Sequence, residues 1–184
     1  IIGAILLGWG SPLIATQLLF INLVADGLPG FALSREPVHD NVMNQDPVSP
    51  KNSLFANGLA TRIVINVILF AAVSLLAQGY GVYTHDSAVG TTMAFVVLSL
   101  TSILHVFNIR SEESMFKIKF SANPMLVMMA GLAAPLTILL VLMPVTQTLF
   151  SFVPLSGMAW IITIVLSLVP NIYWEIHKAI KSAK

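Results

Sequence analysis

From Phe120 to Trp174 the chain carries no Asp, Glu, Lys or Arg. A helix needs about 20 apolar residues to cross a bilayer, so this one stretch has room for two crossings, divided by Pro144, Pro154 and Gly157. Residues 63–84 and 87–109 are also uncharged, and residues 1–25 hold no charge before Asp26. A water-soluble domain has about a quarter charged residues. Here 9% are charged and 57% are hydrophobic, too little polar surface to cover a soluble fold. The pattern predicts an all-α, polytopic transmembrane helical bundle, one domain over 1–184. Its full spans lie near 14–33, 57–79, 88–109, 123–143 and 157–177, with half a span near 1–9.

The opening residues IIGAILLGWG have no basic segment and no small-residue cleavage site, so they do not read as a signal peptide. They are too few to span a bilayer, and the expectation is a chain that starts partway through a membrane helix. The absence of cysteine removes disulfides, thiol catalysis and cysteine-ligated metals. A net charge of +1 argues against a nucleic-acid partner. The partners expected are the lipid bilayer and further spans and domains of a longer protein.

Lys and Arg set the expected orientation. Arg35, Lys51 and Arg62 flank the first polar loop, near 34–56. Arg110, Lys117 and Lys119 belong to another, near 110–122, and Lys178, Lys181 and Lys184 form the tail. The segments 80–87 and 144–156 have none. Positive charge stays on the cytoplasmic side, which puts both basic loops and the C-terminus there. Trp160, Tyr173 and Trp174 read as interfacial anchors, and the tail HKAIKSAK as a segment that meets anionic headgroups.

Against this apolar background, QLLFINLVADGLPGFALSREP (17–37) stands out. An ionised Asp at mid-membrane costs several kcal/mol unless it is compensated. Asn22 and Asp26 are four apart and share a helix face. Pro29 has no N–H, so the Ala25 carbonyl loses its helical partner, and Gly27 loosens the backbone. The helix is expected to break at Asp26-Gly27-Leu28-Pro29. A carboxylate, an amide oxygen and freed carbonyls then lie at one depth. Hard cations such as calcium take all-oxygen sets of this kind, and broken helices at membrane depth line ion sites. The plainer alternative is an Asp bonded to a neighbouring span beside a simple kink.

NLVADGLPG, followed by Glu36-Pro37, resembles the sixth span of P-type cation-transporting ATPases of the calcium-pump-like group. SPK (49–51) and FNIRSEESMF (107–116) resemble later segments of the same family. The resemblance covers the whole chain as the C-terminal membrane portion, from the end of the fifth span to the tenth. It implies Asn22 and Asp26 as calcium ligands. Two-site calcium pumps also have a Thr where this chain has Ala25 and an eighth-span carboxylate where it has Ser102. These departures imply one calcium per cycle, with the Ala25 backbone, Ser102 and His105 as minor contributors. The family's phosphorylation, actuator and nucleotide-binding motifs do not occur in these residues, so the chain by itself is not expected to hydrolyse ATP. ATP and magnesium belong to the full-length pump, which the resemblance places in a bacterial cell membrane. A non-transporting scaffold or anchor subunit, or a pump of the same fold for manganese or sodium, are the alternatives. His105 lies three residues after Ser102 and is expected to face much the same way; packing between helices is its plainer role. Asn66, Asn108 and Asn171 read as interhelical hydrogen-bonding residues.

Overall fold

The computed structural model describes residues 1–37, 59–110, 115 and 122–182. Most of the expected loops at 34–56 and 110–122, including the SPK motif, lies outside these residues. The described chain is helical, with no strand among the described residues. After a short α1 (Ile2–Leu6) come α2 (Ala15–Phe20), a π-helical turn (Ile21–Asp26) and α3 (Gly27–Leu33). The long helices α4 (Leu59–Thr84) and α5 (Ser87–Ile109) follow, then α6 (Pro124–Leu142), the short α7 (Pro144–Phe150) and α8 (Gly157–Ser182). Among the described residues, five helical runs are long and apolar enough to cross a membrane: Ala15–Leu33, α4, α5, α6 and Gly157–Lys181.

Two limits differ from the sequence expectation. α4 continues to Thr84 rather than 79, and α8 to Ser182 rather than 177. Nothing in GYGVYT or EIHKAIKS carries a proline, so helices begun in lipid continue to the next stop signal. For α4 that signal is Asp86, whose Oδ1 accepts from the Val89 N–H at 2.8 Å and caps α5.

α5 is the central helix, packed by α4, α6, α8 and the π turn. Its TTMAFVVLSLTS segment is apolar or small all round, as a helix without a solvent or lipid face must be. Phe95, Val96, Leu100 and Ile103 meet Ile21 and Ala25 on one side and Ala130 and Ala133 on another. Phe95 also packs on Phe20 (ring centroids 5.7 Å) and on Phe152 (4.6 Å). Lipid is as apolar as these side chains, so close packing and interhelical hydrogen bonds hold the helices together. Asn108 Nδ2 donates to Asn171 Oδ1 at 2.8 Å, Thr101 Oγ1 to the Ser167 carbonyl at 3.3 Å, and Gln17 Nε2 to the Phe150 carbonyl at 2.8 Å.

The α4–α5 hairpin depends on two glycines. A Cβ at Gly81 would collide with the Gly90 backbone, and a Cβ at Gly90 would lie 2.6 Å from the Gln78 carbonyl oxygen. Gly90→Val is therefore expected to push the helices apart, at a cost of about 3 kcal/mol or more. Thermal unfolding in detergent checks this, and a variant as stable as the parent would contradict the crossing.

At the end of α3, the Glu36 carboxylate joins three helices. Its Oε1 accepts from Arg110 Nε (2.9 Å) and Nη2 (2.7 Å), and its Oε2 from Asn123 Nδ2 (2.8 Å). Asn123 Nδ2 also donates to the Ala32 carbonyl at 3.0 Å, and its Oδ1 caps α6 through the Leu126 N–H. Trp174, expected as an interfacial anchor, is instead 6% exposed and packed between helices, its Nε1 donating to Asn66 Oδ1. A buried indole takes an internal acceptor because no water is there to serve as one.

Candidate functional site

The site begins with a change of helical pitch. The expected break at Asp26-Gly27-Leu28-Pro29 is not a break: helix runs from Ala15 to Leu33, and Ile21–Asp26 widens into a π turn. The cause is local. The Pro29 ring would clash with the carbonyl four residues back and offers it no N–H. Widening the preceding turn relieves that clash without ending the helix, and such turns are frequent at functional positions. Gly27 makes room for it, because a Cβ there would lie 3.1 Å from the Asn22 carbonyl oxygen.

The widened helix sorts its residues by face. Gln17, Ile21, Ala25, Pro29 and Ala32 are buried against the bundle, whereas Asn22 and Asp26 are exposed on its outer side. Asp26 therefore lies within the span but is not enclosed by the described residues. The sequence could place the carboxylate at membrane depth; it could not say that the buried stripe would be the one through Ala25. Across the groove, the Ser102 hydroxyl of α5 faces the Asp26 carboxylate. Asp26 and Ser102 thus come close, and Asn22 lies four residues earlier on the same exposed side of the widened helix.

The other two candidates do not join it through side chains. The Ala25 methyl is fully buried in the core with Phe95 and Val96, so only its backbone could serve an ion. His105 turns to α4 instead. Its Nε2 lies 3.1 Å from Asn66 Nδ2, and its ring meets Phe70 edge-on at 5.3 Å. Three residues along a helix leave a residual rotation of tens of degrees, enough on a fully packed helix to direct Ser102 to one neighbour and His105 to another. Among the described residues, no three His, Asp or Glu side chains gather as a metal cluster. The Glu36–Arg110–Asn123 junction that anchors the far end of this helix was not anticipated; the signal for it was the Glu36-Pro37 pair and the arginine that ends FNIR.

The family model described as "Cation transporting ATPase, C-terminus" matches residues 10–180. Calcium-transporting ATPase 1 of Bacillus cereus is 31% identical over 196 residues, covering 97% of this chain and 22% of that protein. Calcium-transporting ATPase 1 of Lactococcus lactis is 34% identical over 183 residues, 98% of this chain and 21% of that protein. The plasma membrane-type calcium-transporting ATPase 9 of Arabidopsis thaliana is 30% identical over 140 residues, 71% of this chain. The chain spans about a fifth of the length of the two bacterial relatives. With five apolar helices long enough to cross a bilayer and a family match over nearly its whole length, this integral membrane chain belongs to the C-terminal family of cation-transporting ATPases.

Proposed function

We propose that the chain is the ion-binding membrane portion of an ATP-driven pump that exports calcium from the cytoplasm, one ion per cycle. The observation that carries this reading is the pairing of Asn22 and Asp26 on the outward face of a π turn, opposite Ser102. Among the described residues the exposed Asp26 carboxylate meets a neutral hydroxyl, Ser102, and no cation, which leaves room for further spans of the longer protein to add oxygens. Calcium takes six to eight such ligands. The relatives named as calcium-transporting support that ion over manganese or sodium. ATP and magnesium act on the pump's other domains, outside this chain. The Lys and Arg distribution supports a cytoplasmic basic end, and the bacterial relatives support a bacterial cell membrane.

What surrounds Asp26 supports one ion per cycle. The Ala25 side chain is buried in the core and has no oxygen. Ser102 offers a neutral hydroxyl where a second site needs a carboxylate against a doubly charged ion. That deficit is worth on the order of several kcal/mol, while Asn22 and Asp26 stay intact for a single site. The expected outcome is one bound calcium per phosphorylatable full-length enzyme, with a Hill coefficient near one. Equilibrium binding of two calcium ions would remove the one-site reading. A full-length protein with no calcium-, manganese- or sodium-activated phosphoenzyme would favour the scaffold instead.

A further inference from the structure

A cavity of about 370 Å³ opens between α4, α5 and α8 at the basic end of the bundle, beside His105. Arg62, Lys178, Lys181 and His177 line it together with Trp174 and His105, and no Asp or Glu among the described residues lines it. The nearest acid placed by the described contacts is Glu175, 3.9 Å from Lys178. Lys178 Nζ donates to the Asn108 carbonyl at 2.7 Å, and the Arg62 guanidinium lies 6.0 Å from the Trp174 ring centre. These contacts hold two of the cations in place at the cavity wall.

The floor has hydrogen-bonding capacity left over. The Trp174 indole N–H can only donate, so Asn66 presents its oxygen to Trp174 and its amide nitrogen to His105. That nitrogen donates, so His105 Nε2 accepts, and the ring proton sits on Nδ1. His105 Nδ1 is buried with no hydrogen-bond partner, and so is Oδ1 of Asn108, which is 4% exposed. Buried polar groups are seldom left unpaired. Both atoms are closed off from the cavity, behind its lining of cations. Next to the cavity mouth, Ile63, Val67 and Ile109 are strongly exposed apolar residues on α4 and α5. A ligand here meets positive charge and amide groups at one end and a greasy wall at the other.

We infer that this cavity binds the headgroup of an anionic phospholipid. The phosphate sits among Arg62, Lys178 and Lys181, and the acyl chains lie along Ile63 and Val67. Basic pockets between membrane helices take headgroups in this way. Such a lipid would tie α4, whose N-terminal half is poorly covered, to the end of α8. The inference does not depend on the transported ion.

The test is native mass spectrometry of the detergent-purified full-length protein titrated with phosphatidylglycerol, phosphatidylcholine or glycerol 3-phosphate. Retention of phosphatidylglycerol over phosphatidylcholine is expected, with loss of roughly ten- to thirtyfold in affinity for Arg62→Gln with Lys181→Gln, at about a factor of five per charge. Arg62→Lys with Lys181→Arg retains binding and shows that a folded cavity was compared. Arg35→Gln, a control at an exposed basic residue elsewhere, changes little. Equal retention of the two lipids, or equal weakening by Arg35→Gln, would overturn the site. Glycerol 3-phosphate binding as tightly as the lipid would overturn the lipid as its occupant.

Discussion

Asp26→Asn in the full-length pump is expected to abolish calcium-dependent phosphorylation, whereas Asp86→Asn leaves it close to the parent level. Asparagine matches aspartate in shape and can still meet the Ser102 hydroxyl, so the substitution removes little except charge. A dehydrated divalent ion in a low-dielectric span depends on that charge. Losing it costs on the order of 3–5 kcal/mol, or roughly a thousandfold in affinity. Asp86 serves the fold instead, capping α5 in the tight turn after α4, and Asn caps almost as well. The measurement is calcium-activated phosphoenzyme formation, with phosphorylation from inorganic phosphate as a check that the enzyme is folded. Normal calcium activation in the Asp26 variant would remove the site assignment.

Glu36→Ala is expected to lower the melting temperature by roughly 10 °C, the shift that about 3–5 kcal/mol produces in a chain of this size. The arginine it pairs with is nearly enclosed: the side chains of Arg110 and Glu36 are 2% and 17% exposed. Removing the carboxylate leaves the guanidinium without its counter-charge and takes an acceptor from Asn123, which also caps α6. Removing both charges should recover part of the loss, because the main cost lies in the unpaired ion. Thermal unfolding in detergent of Glu36→Ala, Arg110→Met and the double variant reads this. Unchanged melting of Glu36→Ala would show that the junction adds nothing to stability, and strictly additive losses that its two charges are not coupled. Since the junction fixes the end of the helix that carries Asp26, the same variant also asks whether ion affinity follows anchoring.

Much of this was legible in the residues. Uncharged runs of span length, interrupted by basic loops, can only be satisfied by membrane helices, because each charge left in lipid costs several kcal/mol. That condition acts on composition alone, so the number of spans needed no knowledge of packing. Asn22, Asp26 and Pro29 were visible for the same reason: a carboxylate and a helix breaker are conspicuous where nothing else is polar. The FNIR segment and the Glu36-Pro37 pair were visible as motifs, but their joint use as an anchor was not, since Glu36 and Arg110 are brought together only by the fold.

The rest was decided by tertiary packing. Local chemistry said that Pro29 must disturb the helix; whether the chain broke or widened depended on the neighbours holding Gly27–Leu33 in line, and it widened. A single helix also cannot say which stripe faces its partners when every stripe is apolar. The small Ala25 and Ala32 fit closely against the bundle, and that fit turned Asp26 outward. Likewise Ser102 and His105, three residues apart, faced different helices because α5 is covered on nearly every side. Hydropathy determines what must be in the membrane; only the shape of the neighbouring helices determines which way each polar group within it points.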